Sequence, residues 1–166
     1  MTDLVVRRLT GADASAWQSL RLEALSTYPD AFLTTHAEAA AVPIETVAER
    51  LEAGLSFGVF DASALVGIGS LLRQTRVQTR HRAELGAFYV QAAYQGRGAA
   101  RTLLGGMAQA ARDLGILQME LFVASSNARA IAFYTRAGFQ EVGRIPNATL
   151  SEGVAETDLI MVRDLS

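Results

Sequence analysis

Between Glu84 and Leu104 (ELGAFYVQAAYQGRGAARTLL) the hydrophobic pattern changes period, from the apolar run Leu85 to Val90 to a helical repeat beyond Gln95-Gly96-Arg97-Gly98. On the helical side Ala100, Leu103, Leu104, Met107, Ala111 and Leu114 recur at 3.6-residue spacing, which makes one apolar stripe. Gly115 then supplies a residue that tolerates the left-handed conformation ending a helix. Gly105-Gly106 interrupts this helix at about 1 kcal/mol per glycine relative to alanine, and close packing of another backbone is the expected reason. The run Ile116 to Val123 follows. A strand, a crossover helix and a second strand return right-handed, so this strand should lie parallel to Leu85–Val90.

The rest of the chain is read relative to that unit. Weak alternation over Leu4 to Leu9 predicts a first strand, and Asp13 offers an N-cap for a helix carrying Trp17, Leu20, Ala24 and Leu25 that Pro29 closes. Ser26 to Ala41 shows no period, whereas Pro43 suits the first turn of a helix bearing Ile44, Val47, Ala48 and Leu51, stopped by Gly54. Leu55–Phe60 and Leu65–Leu72 read as a hairpin around the four-residue turn Asp61-Ala62-Ser63-Ala64. Gln74 to Arg82 is polar. Ser126 or Asn127 caps a short helix ended by Gly138, and Phe139–Ile145 and Thr157–Arg163 read as closing antiparallel strands joined by a polar loop.

A strand that feeds a glycine turn opening a helix leaves backbone N–H groups unpaired and points the positive end of the helix dipole at whatever sits there. Such a place binds anions, phosphate above all. The dinucleotide fingerprint fits poorly, because Arg101 stands where its third glycine belongs. A P-loop needs a lysine that neutralises phosphate, and all fifteen basic residues are arginine.

Composition narrows the chemistry further. At 166 residues and 50% apolar, residues 1–166 suit one domain. The net charge of −2 argues against an obligatory nucleic-acid partner, and the one basic cluster, Arg73, Arg76, Arg80, His81 and Arg82, reads as a solvated strand end. Without cysteine there is no thiolate catalysis, and His36 and His81 lack metal-motif spacing, so no metal is expected. Met1-Thr2-Asp3 lacks a basic leader and no run approaches the ~18 apolar residues of a membrane span, so a cytoplasmic protein without a membrane partner is expected.

Gln95-x-x-Gly98-x-Ala100 directly after a strand resembles the pyrophosphate loop of the GNAT superfamily of acyl-CoA N-acyltransferases. The resemblance extends to Glu84, eleven residues before Gln95, where several members carry a catalytic glutamate. It also covers Ser126 to Tyr134 and Ala137-Gly138-Phe139, similar to the family's N-x-x-A-x-x-F-Y-x-x-x-G-F segment.

The resemblance implies an α/β (α+β) single domain with a mixed central sheet whose parallel pair splays apart between flanking helices. It implies acetyl-CoA as acyl donor, with Phe88, Tyr89 and Val90 presenting backbone to the pantetheine and the acetyl carbonyl. Gln95, Gly96, Arg97, Gly98, Ala99, Ala100 and Arg101 would receive the pyrophosphate, and Asn127 would touch the cofactor. Tyr134 would protonate the leaving thiolate, and Glu84 would take the amine's proton through water.

Each residue also has a plain structural reading: Phe88 and Val90 as core, Asn127 as N-cap, Tyr134 as an apolar-face aromatic, Glu84 paired with Arg80 or Arg82, and Arg97 facing solvent. The resemblance leaves the acceptor open among a small-molecule amine or amino acid, an aminoglycoside-like compound and a protein N-terminus, and a homodimer is compatible with such folds. A non-catalytic acyl-CoA sensor and a different nucleotide-binding module are the competing readings.

Overall fold

The computed structural model describes residues 3–166; Met1 and Thr2, on which part of the leader reading rests, lie outside them. Seven strands form one sheet in the order β1-β2-β3-β4-β5-β7-β6. They are β1 (Leu4–Arg8), β2 (Leu55–Asp61), β3 (Ala64–Arg73), β4 (Arg82–Val90), β5 (Gln118–Ala124), β6 (Gln140–Ser151) and β7 (Val154–Asp164). Among the described residues five α-helices accompany them: α1 (Ala14–Thr27), α2 (His36–Ala40), α3 (Ile44–Ala53), α4 (Ala99–Asp113) and α5 (Ala128–Arg136). Among the described residues no helix is long and apolar enough to cross a membrane.

The sheet is covered on both faces. Leu103, Leu104, Met107, Ala108 and Ala111 of α4 pack with Phe57, Leu71, Leu85 and Met119, while Leu20 and Ala24 of α1 and Val47 and Leu51 of α3 pack with Phe60, Ile68 and Tyr89. Of the predicted α4 stripe, Ala100 is only half-buried and Leu114 is exposed. Both sit at the helix ends, beyond the sheet that buries the middle.

Gly106 is there for a side chain rather than another backbone: a Cβ on it would stand 2.6 Å from Val6 Cγ1, whereas one on Gly105 meets nothing within 4 Å. Asp13 precedes α1 as predicted, but its carboxylate turns back, accepting from the Thr10 N–H at 2.8 Å and pairing with Arg7 at 2.9 Å.

Several boundaries differ from the sequence expectation. The β2–β3 hairpin turns through two residues, Ala62 and Ser63, and β6 and β7 run on to the turn at Glu152-Gly153 instead of stopping at a polar loop. In the stretch without a period, Thr35 caps α2: its side chain accepts from the Glu38 N–H while Glu38 Oε2 accepts from the Thr35 N–H at 2.8 Å. This T-x-x-E capping box is a sequence signal, and it passed unread because α2 is too short to show a period.

Two features of β4 shape the site. Ser70 pairs with Gly86 and Ile68 with Tyr89, so two residues of β4 stand opposite the single Gly69, a bulge in which Ala87 takes φ +48°. The bulge inverts the alternation. Ala83 and Leu85 face the α4 core before it, Phe88 and Val90 after it, and Tyr89 turns to the α1–α3 side. Second, the parallel pairing of β4 with β5 covers only Arg82↔Gln118, Ala83↔Met119 and Glu84↔Glu120. Beyond that rung β5 continues with β7 and β4 with β3, and the two parallel strands part.

Candidate active site

The gap between the parted strands opens into a cavity of about 1120 Å³. Its floor is Phe88, Tyr89 and Val90 of β4; one wall is Gln95, Gly96, Gly98, Ala100 and Arg101, and the opposite wall is α5 with Asn127 and Tyr134. These are expected site residues, brought together from three separate segments.

The loop is built for close approach to its backbone. Gly96 and Gly98 hold φ of +74° and +85°, and a Cβ on either would meet nothing within 4 Å, so they are glycine for conformation rather than for space. Thr102 makes the first regular helical bond, to the Gly98 carbonyl at 2.9 Å. By helix geometry the N–H groups of Ala99, Ala100 and Arg101 precede it and point out of the helix start. Gln95 secures the loop by donating from Nε2 to the Val90 carbonyl at 2.8 Å. Tyr94 ties it to β2 by donating to Asp61 at 2.6 Å.

Three expected residues lie off the cavity wall. The Ala99 side chain is fully buried against the sheet, so only its backbone can serve a ligand. Arg97 is exposed and its charge acts on Tyr94. Glu84 lies at the last paired rung of β4 and β5. The alternative pairing of Glu84 with Arg80 or Arg82 is not made: Arg82 bonds Glu120 through both Nε and, at 2.7 Å, Nη2. That ion pair holds the Glu120 carboxyl below the usual range, while burial first and the neighbouring Glu120 charge second push Glu84 up.

Tyr134 lies among Phe88, Phe133 and Phe139, with ring centroids 6.2, 5.3 and 5.6 Å away. Burial raises its pKa, so the hydroxyl keeps its proton at neutral pH. Asn127 fills its structural role as N-cap, with Oδ1 accepting from the Ala130 N–H at 3.2 Å, and it also lines the cavity, to which its amide NH2 remains available. Tyr89, pushed up to about 12 by burial first and by Glu23 second, lies beside Tyr28 with ring centroids 6.1 Å apart and planes tilted by 58°.

Sequence reasoning missed the cavity's charge. Arg129, Arg136 and Arg163 join Arg101 on its walls, with no carboxylate among the lining residues, in a chain whose net charge is −2. Arg129 and Arg136 occupy variable positions within the motif on α5, but nothing local announces that β7 delivers Arg163 to the same space. Tyr28, Ala31 and Phe32, from the stretch without a period, close the far end. Among the described residues no group of three or more His, Asp or Glu side chains could hold a metal ion.

Comparison with known proteins gives this architecture a context. No curated protein matches the chain. A putative acetyltransferase from Salmonella typhimurium, determined with its cofactor acetyl-CoA, superposes with a TM-score of 0.84 at 20% identity, over 99% of this chain and 95% of that one. A probable acetyltransferase from Staphylococcus epidermidis gives 0.83 at 20% identity over 99% and 100%. The ribosomal-protein-S18-alanine N-acetyltransferase from Escherichia coli gives 0.74 at 22% identity over 99% and 95%. These likenesses establish a shared fold. The model described as the acetyltransferase (GNAT) family matches residues 16–139, from α1 to the residue after Gly138. That span takes in the parted strands, the glycine loop and α5, and this chain belongs to the GNAT acetyltransferase family.

Proposed function

We propose that residues 1–166 act as one N-acetyltransferase domain that moves the acetyl group of acetyl-CoA to a primary amine by direct attack in a ternary complex. The observation that carries this reading is the cavity: four arginines, no carboxylate, and a glycine loop with outward N–H groups, where two parallel strands part. A long ligand with a pyrophosphate at one end and an amide-bearing arm at the other fits that arrangement. Phosphate meets the backbone of Gly96 to Arg101 and the Arg101 side chain, and the arm runs along the β4 edge that β5 leaves unpaired.

Bound there, acetyl-CoA supplies a thioester, an acyl group already activated toward amines. The chain positions, polarises and moves protons. Backbone at Phe88–Val90 orients the acetyl carbonyl for the incoming nitrogen. As the C–N bond forms and the C–S bond breaks, Tyr134 gives the departing sulfur its proton. Glu84 takes the proton of the amine through water; its place at the fork of the strands and its raised pKa support that assignment. No covalent enzyme intermediate is needed.

The test is thermal melting with and without acetyl-CoA, beside free-thiol release over a panel of amines. Stabilisation with amine-dependent thiol release is expected. Stabilisation without release from any amine would favour the acyl-CoA sensor, and no stabilisation would overturn the cofactor assignment.

A further inference from the structure

A second cavity, of about 390 Å³, lies on the α1–α3 side of the sheet, bounded by Trp17 and Arg21 of α1, Arg50 of α3, Ser70 of β3 and the bulge residue Ala87. Arg21 is only 9% exposed, and among the described residues its Nη1 is the one buried side-chain nitrogen or oxygen without a hydrogen-bond partner. Its guanidinium lies over the Phe32 ring, 4.7 Å from the centroid. Arg7, Arg82 and Arg144 each hold a carboxylate, whereas no ion pair forms at Arg21. The cavity's single carboxylate, Glu38, is engaged in capping α2 through Thr35. Burying a cation without an anion costs folding free energy, so a guanidinium held this way favours pairing with a negative group. Arg50 adds a second positive charge to the same wall.

The two cavities are neighbours. Ala87 borders the smaller, while Phe88 and Tyr89, the next residues of β4, border the larger. Phe32, beneath the Arg21 guanidinium, belongs to the larger one too. We propose that Arg21 pairs with a carboxylate of the acceptor, so that the amine acylated here is carried by a small carboxylated molecule of amino-acid type. Its carboxylate enters the smaller cavity and its amine is directed past Phe32 toward Phe88 and Tyr89. The inference rests on the transferase reading and names the acceptor class for it. The anion partner is a guanidinium because its planar fork matches a carboxylate bidentately.

The experiment uses the wild-type chain and acetyl-CoA, with free thiol measured for L-amino acids against their carboxamides and the corresponding decarboxylated amines. At least one amino acid should exceed its amide by about tenfold or more in kcat/KM, chiefly through KM, as the loss of one charge-assisted bond demands. In Arg21→Gln that preference should vanish while the melting shift caused by acetyl-CoA persists, and Arg21→Lys should keep part of it.

Equal rates for acids and amides in the wild type, a comparison that needs no variant to fold, would overturn the inference and leave the transferase standing. If acetyl-CoA fails to stabilise the protein, the transferase reading falls, and the anion site is read from melting alone: amino acids that stabilise wild type but not Arg21→Gln support it, and no stabilisation overturns it.

Discussion

Gly105 and Gly106 are adjacent in one helix, yet alanine should act on them with opposite sign. At Gly105, exposed in the helix interior, an added methyl meets nothing within 4 Å, so Gly105→Ala gains about 1 kcal/mol of helix propensity. Gly106→Ala gains the same propensity but drives its Cβ to 2.6, 2.8 and 3.1 Å from Val6 Cγ1, Cβ and Cγ2. Rotating Val6 does not relieve this, because its Cβ is fixed to a β1 backbone that pairs with Val59. Strand or helix must shift instead, an overpacking that costs about 1–3 kcal/mol.

The propensity gain cancels between the two variants, so their difference is the packing cost itself, about 1–3 kcal/mol. At about 2–4 °C per kcal/mol for a chain of this size, Gly105→Ala should melt several degrees above Gly106→Ala. Urea and thermal unfolding followed by circular dichroism measure it. In a Val6→Ala background the penalty at Gly106 should shrink without disappearing, since the Val6 Cβ remains. A Gly106→Ala protein as stable as Gly105→Ala would refute the reasoning.

Three further outcomes are expected from the site. Tyr134→Phe should lower thiol release about 100-fold or more while leaving the melting shift with acetyl-CoA in place; loss of the shift instead would make the tyrosine a packing residue. Arg101→Gln should weaken acetyl-CoA binding by about tenfold or more, with a smaller salt dependence than wild type in calorimetric titrations. Glu84 has a raised pKa, so the folded state holds its proton longer than the unfolded chain. Its ionisation therefore removes stability as pH rises from the ordinary glutamate value through the raised one. Glu84→Gln should flatten that fall in pH-dependent melting and remove the acid limb of kcat/KM, and an unchanged pH profile would reject Glu84 as the proton acceptor.

The change of period between Glu84 and Leu104, the glycines on either side of α4 and the Asn127-to-Phe139 segment carried the strand–loop–helix unit and most of the cavity wall, because each is a local signal. Positive φ favours glycine, as at Gly96, Gly98 and Gly138, and the helical stripe of α4 is visible within fifteen residues. The capping box at Thr35 and Glu38 was equally local. Its helix was simply too short to support a periodic reading.

The tertiary structure decided what depends on register and convergence. Alanine has no preference for the left-handed region, so nothing at Ala87 foretold the bulge that turns Phe88 and Val90 toward α4 and Tyr89 toward α1. The parting of β4 and β5 after three paired positions comes from β5 following β7, a choice between distant strands. Arg101, Arg129, Arg136 and Arg163 share one cavity, and Arg21 is buried with an unpartnered Nη1, only because helices and sheet pack as they do. Sequence fixes local conformation through short-range sterics and hydrogen bonding, whereas charge convergence and burial are properties of the folded surface and are set by contacts between segments far apart in the chain.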